Sequence, residues 1–194
     1  MKEVDARGIE CPMPVIMAKR LVNEGEEEFK VFVNEKIAVE NLNKMAKQVN
    51  YKTSVREKEN GEFELLFEKS ESVDKDNPKK LMESEEYIVV FDSDSLGEGD
   101  KDFSKKLIES FLLALTEQDK YPEYLICYNR GVYLTTEREN AIEDLKKLED
   151  RGVKVLSCGL CLDNYGLKEK PKVGKVTNMY EIVGLMTSKR VVRP

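Results

Sequence analysis

The stretch from Ser70 to Glu86 constrains this chain most. It is built from Glu, Ser, Asp, Lys, Asn and one Pro, and its only apolar residues are Val73, Leu81 and Met82. Such a composition reads as a linker rather than as part of a packed layer. It divides the 194 residues into a segment 1–70, a linker 71–85 and a segment 86–194. A hydrophobic pattern complete in itself lies on each side, so the chain is expected to fold as two small domains.

In the first segment, Lys2–Arg7 alternates polar and apolar residues and predicts a short strand. Pro12–Asn23 predicts a helix closed by Gly25, and Phe29–Val33 a strand. Between Glu35 and Val49, Ile37, Val39, Leu42, Met45, Ala46 and Val49 fall mostly on one helical face. Tyr51–Lys58 and Glu62–Glu68 both alternate around Asn60-Gly61, a strong two-residue hairpin signal. The order βαβαββ predicts a two-layer α/β sandwich.

The second segment opens on Tyr87-Ile88-Val89-Val90-Phe91, a continuous apolar run of the kind buried in parallel sheets. An acidic glycine loop, Asp92–Asp100, follows it. Helices are predicted over Phe103–Thr116, with Phe103, Leu107, Ile108, Phe111, Leu112 and Leu115 on one side, over Asn140–Leu148 and over Asn178–Thr187, and strands over Tyr124–Tyr128 and Val153–Leu156. This alternation predicts a mainly parallel α/β sheet, whose functional groups gather at the C-terminal ends of the strands. The glycine loop, Cys127, Asn129-Arg130-Gly131 and Cys158…Cys161 all fall near such ends.

Charge and residue usage narrow the chemistry. A net charge of −6 argues against nucleic acid or an anionic membrane as the main partner. No signal-like segment and no apolar run near 18 residues is present, so a cytoplasmic location is expected. Histidine is absent, which excludes Ser-His and Cys-His catalysis, histidine metal sites and histidine proton shuttles. Four cysteines are too few for a disulfide scaffold and are expected to be reduced unless functional.

Cys11 stands in Cys11-Pro12-Met13-Pro14, immediately before the first helix. Both prolines are tolerated in a first turn but not in a helix interior. Cys11 is therefore placed at or near the N-cap, where free amides and the helix dipole favour thiolate. Because prolines have no N–H, Met13 and Val15 are the amides expected to face the sulfur. Cys158-Gly159-Leu160-Cys161 leaves three readings open: a redox dithiol, half of a zinc site, or a carrier cysteine on a loop with a second thiol nearby. The strand-end position fits the carrier reading, and the absence of further ligands speaks against zinc. Cys127 reads as core. Arg130 is a candidate source of positive charge near a thiolate, and Gly97-Glu98-Gly99-Asp100 a turn that lines a site without the residues of a phosphate loop.

Asp5-x-Arg7-Gly8-x-x-Cys11-Pro12-x-Pro14 resembles the signature of TusA/SirA-type sulfur carriers, whose CPxP cysteine carries persulfide sulfur. Residues 86–194 resemble a DsrE/DsrF-like domain, with Ser157-Cys158-Gly159-x-Cys161-Leu162 and Tyr165-Gly166-Leu167 at the loop that holds that family's sulfur-accepting cysteine. The fusion is similar to YedF-type sulfurtransferase-like proteins linked to selenium metabolism. The resemblance implies catalytic roles for Cys11, Cys158 and Cys161, with Cys158 as the counterpart that accepts sulfur from Cys11 and Cys161 as the thiol that resolves it, and with Pro12, Pro14, Gly159 and Arg130 supporting them. It implies no cofactor beyond transient cysteine-bound persulfide or selenium, and no metal. It further implies a donor protein such as a cysteine desulfurase, an unidentified acceptor, and a homo-oligomer formed through the C-terminal domain. A non-catalytic interaction module and a CxxC redox protein are the competing readings; the first needs no activated thiol and the second needs no Cys11.

Overall fold

The structure is a computed structural model that describes residues 1–10, 12–58, 61–70 and 86–194. Cys11, Asn60 of the hairpin turn and the 71–85 segment lie outside the described residues. The chain divides into two compact units, Met1–Glu83 and Ser84–Pro194.

The first unit runs β1 (Lys2–Asp5), α1 (Met13–Asn23), β2 (Glu28–Val33), α2 (Lys36–Gln48), β3 (Tyr51–Glu57) and β4 (Phe63–Lys69). Its sheet has the order β1-β2-β4-β3, parallel between β1 and β2 and antiparallel elsewhere. Alternation sends Phe29, Val31 and Val33 of β2 and Phe63, Leu65 and Phe67 of β4 into one core. Phe29 stacks on Phe67 with ring centroids 4.7 Å apart. Two helices close that face through Ala18, Leu21, Ala38, Leu42, Met45 and Ala46. Each fully buried Leu or Phe contributes on the order of 1.5–3 kcal/mol. Ile37 departs from the predicted stripe: it is exposed, and Ala38 takes the inward place.

The second unit runs β5 (Tyr87–Phe91), α3 (Lys101–Thr116), β6 (Tyr124–Cys127), a 3-10 turn (Asn129–Val132), α4 (Tyr133–Thr136), α5 (Glu139–Asp150), β7 (Lys154–Cys158), α6 (Gly159–Asn164), β8 (Lys175–Thr177), α7 (Met179–Ser188) and β9 (Arg190–Val192). All five strands are parallel, in the order β8-β7-β6-β5-β9. Helices α3 and α5 pack on one face through Ile108, Leu112, Ile142 and Leu145. Helix α7 supplies Ile182 to the other face, against Ile88, Val90 and Ile126. The predicted turn at 129–131 is instead a helical step into α4, and the Cys158–Cys161 segment is not a loop but the end of β7 joined directly to α6.

Candidate functional site

In the first unit, the approach to Cys11 is held by ion pairs and a left-handed glycine. Arg7 forks onto Asp5 at the end of β1, Nε to Oδ1 at 2.8 Å and Nη2 to Oδ2 at 2.6 Å, and reaches Glu62 at 2.9 Å. The guanidinium holds the Asp5 carboxyl well down, at about 2. Gly8 takes φ +70°, open to glycine without strain, and its N–H donates to Asn34 Oδ1 at 2.9 Å. Pro12 occupies the N-cap of α1, Pro14 is buried in its first turn, and among the described residues no side chain caps the helix. Cys11 itself lies outside the described residues. The two amides expected to face its sulfur are already engaged: Met13 N–H donates to the Glu10 carbonyl and Val15 N–H to the Pro12 carbonyl, each at 3.1 Å. Local turn bonds satisfy these donors because the chain curls before the helix begins.

In the second unit, strand parity decides what each cysteine meets. Cys127 ends β6 pointing into the α3–α5 core, where burial pushes its thiol up to about 12. Cys158 ends β7 on the opposite face, 0% exposed among Ile88, Val90, Ile126 and Ile182. Its neighbour Ser157, also buried, shares a 2.8 Å hydrogen bond with Thr135, which anchors the strand end on α4. Gly159 opens α6 beside β8; a methyl group there would press to 3.1 Å from Val176 and 3.3 Å from the Thr177 carbonyl. Cys158 thus stands at a strand end joined directly to α6 rather than on a loop, and it has no exposed surface.

Cys161, one turn further on, is only partly buried. Burial and a hydrogen bond with the Cys158 thiol raise its pKa, and the Asn129 backbone N–H opposes this by donating to Sγ at 3.0 Å. Asn129 achieves that aim in a left-handed conformation, φ +48°, with its side-chain oxygen accepting from Tyr165 at 2.7 Å. Asparagine tolerates this region better than most residues. Gly131 is required two residues on, because a Cβ there would collide with the Phe91 carbonyl. Arg130 does not serve the sulfur. Its guanidinium grips buried Asp94, Nε to Oδ1 at 2.9 Å, and lies over the Tyr133 ring at 5.3 Å from the centroid. Arg138 holds the other Asp94 oxygen at 3.2 Å. Burial pushes the Asp94 carboxyl up, but the two arginines outweigh it and hold the pKa below its ordinary value.

The sequence pattern thus locates Cys161 but misses its donor. A backbone amide leaves no residue signature; only the asparagine before Arg130-Gly131 hints at a left-handed step. The glycine loop lines a cavity of its own with Lys101, Lys105 and Arg130. Among the described residues no group of three or more Cys, Asp or Glu side chains is placed to hold a metal ion. Among them, too, no helix is long and apolar enough to cross a membrane.

Residues 2–69 match the family described as sulfurtransferase TusA, and residues 105–192 match the DsrE/DsrF-like family. Among solved structures, a SirA-like protein from Desulfitobacterium hafniense is 39% identical over 37% of this chain and 100% of that one, with a TM-score of 0.34. The YchN protein from E. coli is 19% identical over 57% of this chain and 100% of that one, with a TM-score of 0.42. A protein of unknown function from Methanobacterium thermoautotrophicum is 17% identical with the same two coverages and a TM-score of 0.42. No curated protein matches the chain.

Proposed function

The chain belongs to the TusA/SirA-like family through its first unit and carries a DsrE/DsrF-like match in its second, and from that premise we propose that it relays sulfane sulfur, or selenium by the same chemistry, through Cys11, Cys161 and Cys158. Both families are tied to sulfur relay, which supports a general carrier role. The observation that carries the finer reading is the Cys158–Cys161 thiol pair with the Asn129 amide donating to Cys161.

The relay runs in balanced thiol exchanges. The Cys11 thiolate attacks the outer sulfur of a donor persulfide, giving the Cys11 persulfide and the donor thiolate. The Cys161 thiolate attacks that outer sulfur in turn and releases the Cys11 thiolate. The Asn129 N–H is placed to stabilise anionic sulfur at Cys161 in either state. When the Cys158 thiol attacks the inner sulfur of the Cys161 persulfide, a Cys158–Cys161 disulfide forms and hydrosulfide leaves with the Cys158 proton. Two equivalents of an external thiol then reduce this disulfide by exchange, leaving as their own disulfide and restoring both cysteine thiols. Entry is assigned to Cys161 because it has exposed surface and Cys158 has none, which reverses the order read from the sequence.

The donor is a persulfide-forming protein of the cysteine desulfurase type, and the acceptor a second thiol protein. Leu160, Val176, Met179, Tyr180 and Val183 form an exposed apolar set around α6 and α7, with Tyr180 92% exposed. This supports a homo-oligomer formed through the second unit. The thiol pair also suits a redox protein, and one experiment separates the two. Intact mass spectrometry of the wild type, Cys11→Ser and Cys161→Ser, after exposure to a desulfurase and cysteine, should show reductant-labile sulfur that each substitution removes from its own unit. Loading of the first unit that persists in Cys11→Ser would sink the relay, and a Cys158–Cys161 disulfide that forms without any loading would favour the redox protein.

A further inference from the structure

Asn129 is gripped twice from one turn at the end of α6. Its backbone N–H donates to Cys161 Sγ at 3.0 Å, and its side-chain oxygen accepts from the Tyr165 hydroxyl at 2.7 Å. Cys161 and Tyr165 stand four residues apart, so both side chains leave the same face of the helix. Tyr165 closes α6, and its own N–H donates to the Cys161 carbonyl at 3.0 Å. The peptide that carries the Asn129 N–H is held from its other side too, because the Tyr128 carbonyl accepts from the Gly131 N–H at 2.9 Å.

These contacts fix a torsion that is otherwise unfavourable. Asn129 has φ +48°, which a residue with a side chain keeps only where its surroundings favour it. Glycine would take this angle freely; asparagine adds an acceptor. Asn129 is exposed, so its side-chain oxygen is open to water and the Tyr165 bond relieves no buried group. What the bond supplies is geometry. The Tyr165 ring is itself held, with its centroid 5.4 Å from that of Tyr133 and its edge packed on the cluster of Val132, Leu162 and Leu167. We propose that Tyr165 is a positioning residue for the Cys161 site: its hydroxyl keeps Asn129 in the left-handed conformation that aims the backbone N–H at Sγ. That Cys161 receives sulfur rests on the relay reading; the clamp rests on the hydrogen bonds. The other titratable groups on the elements packed around Cys161 are Cys158, Tyr128, Tyr133, Arg130, Arg193 and Glu181. Arg130 is committed to Asp94, Arg193 to the Tyr128 hydroxyl and Glu181 to the Thr177 hydroxyl.

Alkylation of the full chain by iodoacetamide across a pH series tests the clamp, in a Cys11→Ser background and read at Cys161 by peptide mass spectrometry. The rate follows the thiolate fraction, so its midpoint reports the state of the Cys161 thiol. Tyr165→Phe keeps the ring and removes only the donor. It should move the midpoint up and slow labelling at neutral pH by about three- to tenfold, with the plateau at high pH unchanged. A merely structural loosening would instead speed labelling at every pH and open Cys158. Asn129→Gly removes the acceptor and keeps the left-handed backbone accessible. It should raise the midpoint by itself, which tests the clamp even if Tyr165→Phe alters folding, and Tyr165→Phe should add nothing in that background. An unchanged midpoint in either single variant, faster labelling at every pH, or a Tyr165→Phe shift that persists undiminished beside Asn129→Gly would overturn the proposal. Uptake of sulfur from a persulfide-loaded donor is read separately: a wild-type Cys161 that never takes up sulfur would count against the relay and not against the clamp.

Discussion

The three described cysteines, two at strand ends and one in α6, belong to one unit and differ in what surrounds the sulfur. Cys127 is walled by core and pushed up to about 12; Cys158 is buried on the other face; Cys161 reaches the surface. In a Cys11→Ser background, alkylation of the native protein should therefore label Cys161 first. Because its pKa is raised by burial and by Cys158, the labelling rate should still climb above the pH at which an ordinary thiol levels off, and peptide mapping across a pH series checks this. Cys127 should stay unlabelled until the protein unfolds. Asp94 gives a second residue-scale prediction. Its carboxyl is held below the ordinary range, so the stability it contributes is complete above the unfolded value near 4 and is lost as pH falls through the lower folded value. Asp94→Asn should cost about 1–3 kcal/mol at neutral pH, discounted for the half-exposed Arg130. Urea unfolding should show the gap to wild type closing in acid.

The 3-10 turn between β6 and α4 is the element that aims the Asn129 amide, and Gly131 is its tightest point. Gly131→Ala should lower the stability of the second unit by about 1–3 kcal/mol through overpacking against β5. It should also raise the Cys161 pKa further by withdrawing the amide, visible together in a thermal melt and a labelling profile. Elements with sustained periodicity were legible in the sequence: the βαβαββ order and the buried run of β5 follow from apolar spacing alone. Three-residue strands β8 and β9 were not, because Lys175–Thr177 and Arg190–Val192 are too short to show a period and are defined by pairing with β7 and β5. The stripe of α3 misled at its start. Phe103 is 58% exposed while Ser104 turns inward, four residues before Ile108. A serine in a buried stripe was a signal available in the sequence, and it marks the cavity. The burial of Cys158 and the partial exposure of Cys161 were not available there, since they depend on which face β7 presents to α7.

At the scale of the molecule, each unit has its own closed hydrophobic core, one around Phe29, Leu42, Leu65 and Phe67 and one on either face of the parallel sheet. Residues 1–70 and 86–194 produced separately should each unfold in a single cooperative transition by circular dichroism. A fragment that melts without cooperativity would mean that its core needs the other unit. The proposed transfer between the units, by contrast, requires both sets of thiols, and a tether in one chain raises the effective concentration of one site at the other. The most direct test is tandem mass spectrometry of peptides from the full chain after a short exposure to a persulfide-loaded donor, with free thiols blocked at the moment of quenching. The account predicts sulfur on Cys11 first and then on Cys161, followed by a Cys158–Cys161 disulfide. Sulfur that arrives on Cys158 while Cys161 stays free, or on the second unit alone with Cys11 never loaded, would contradict it.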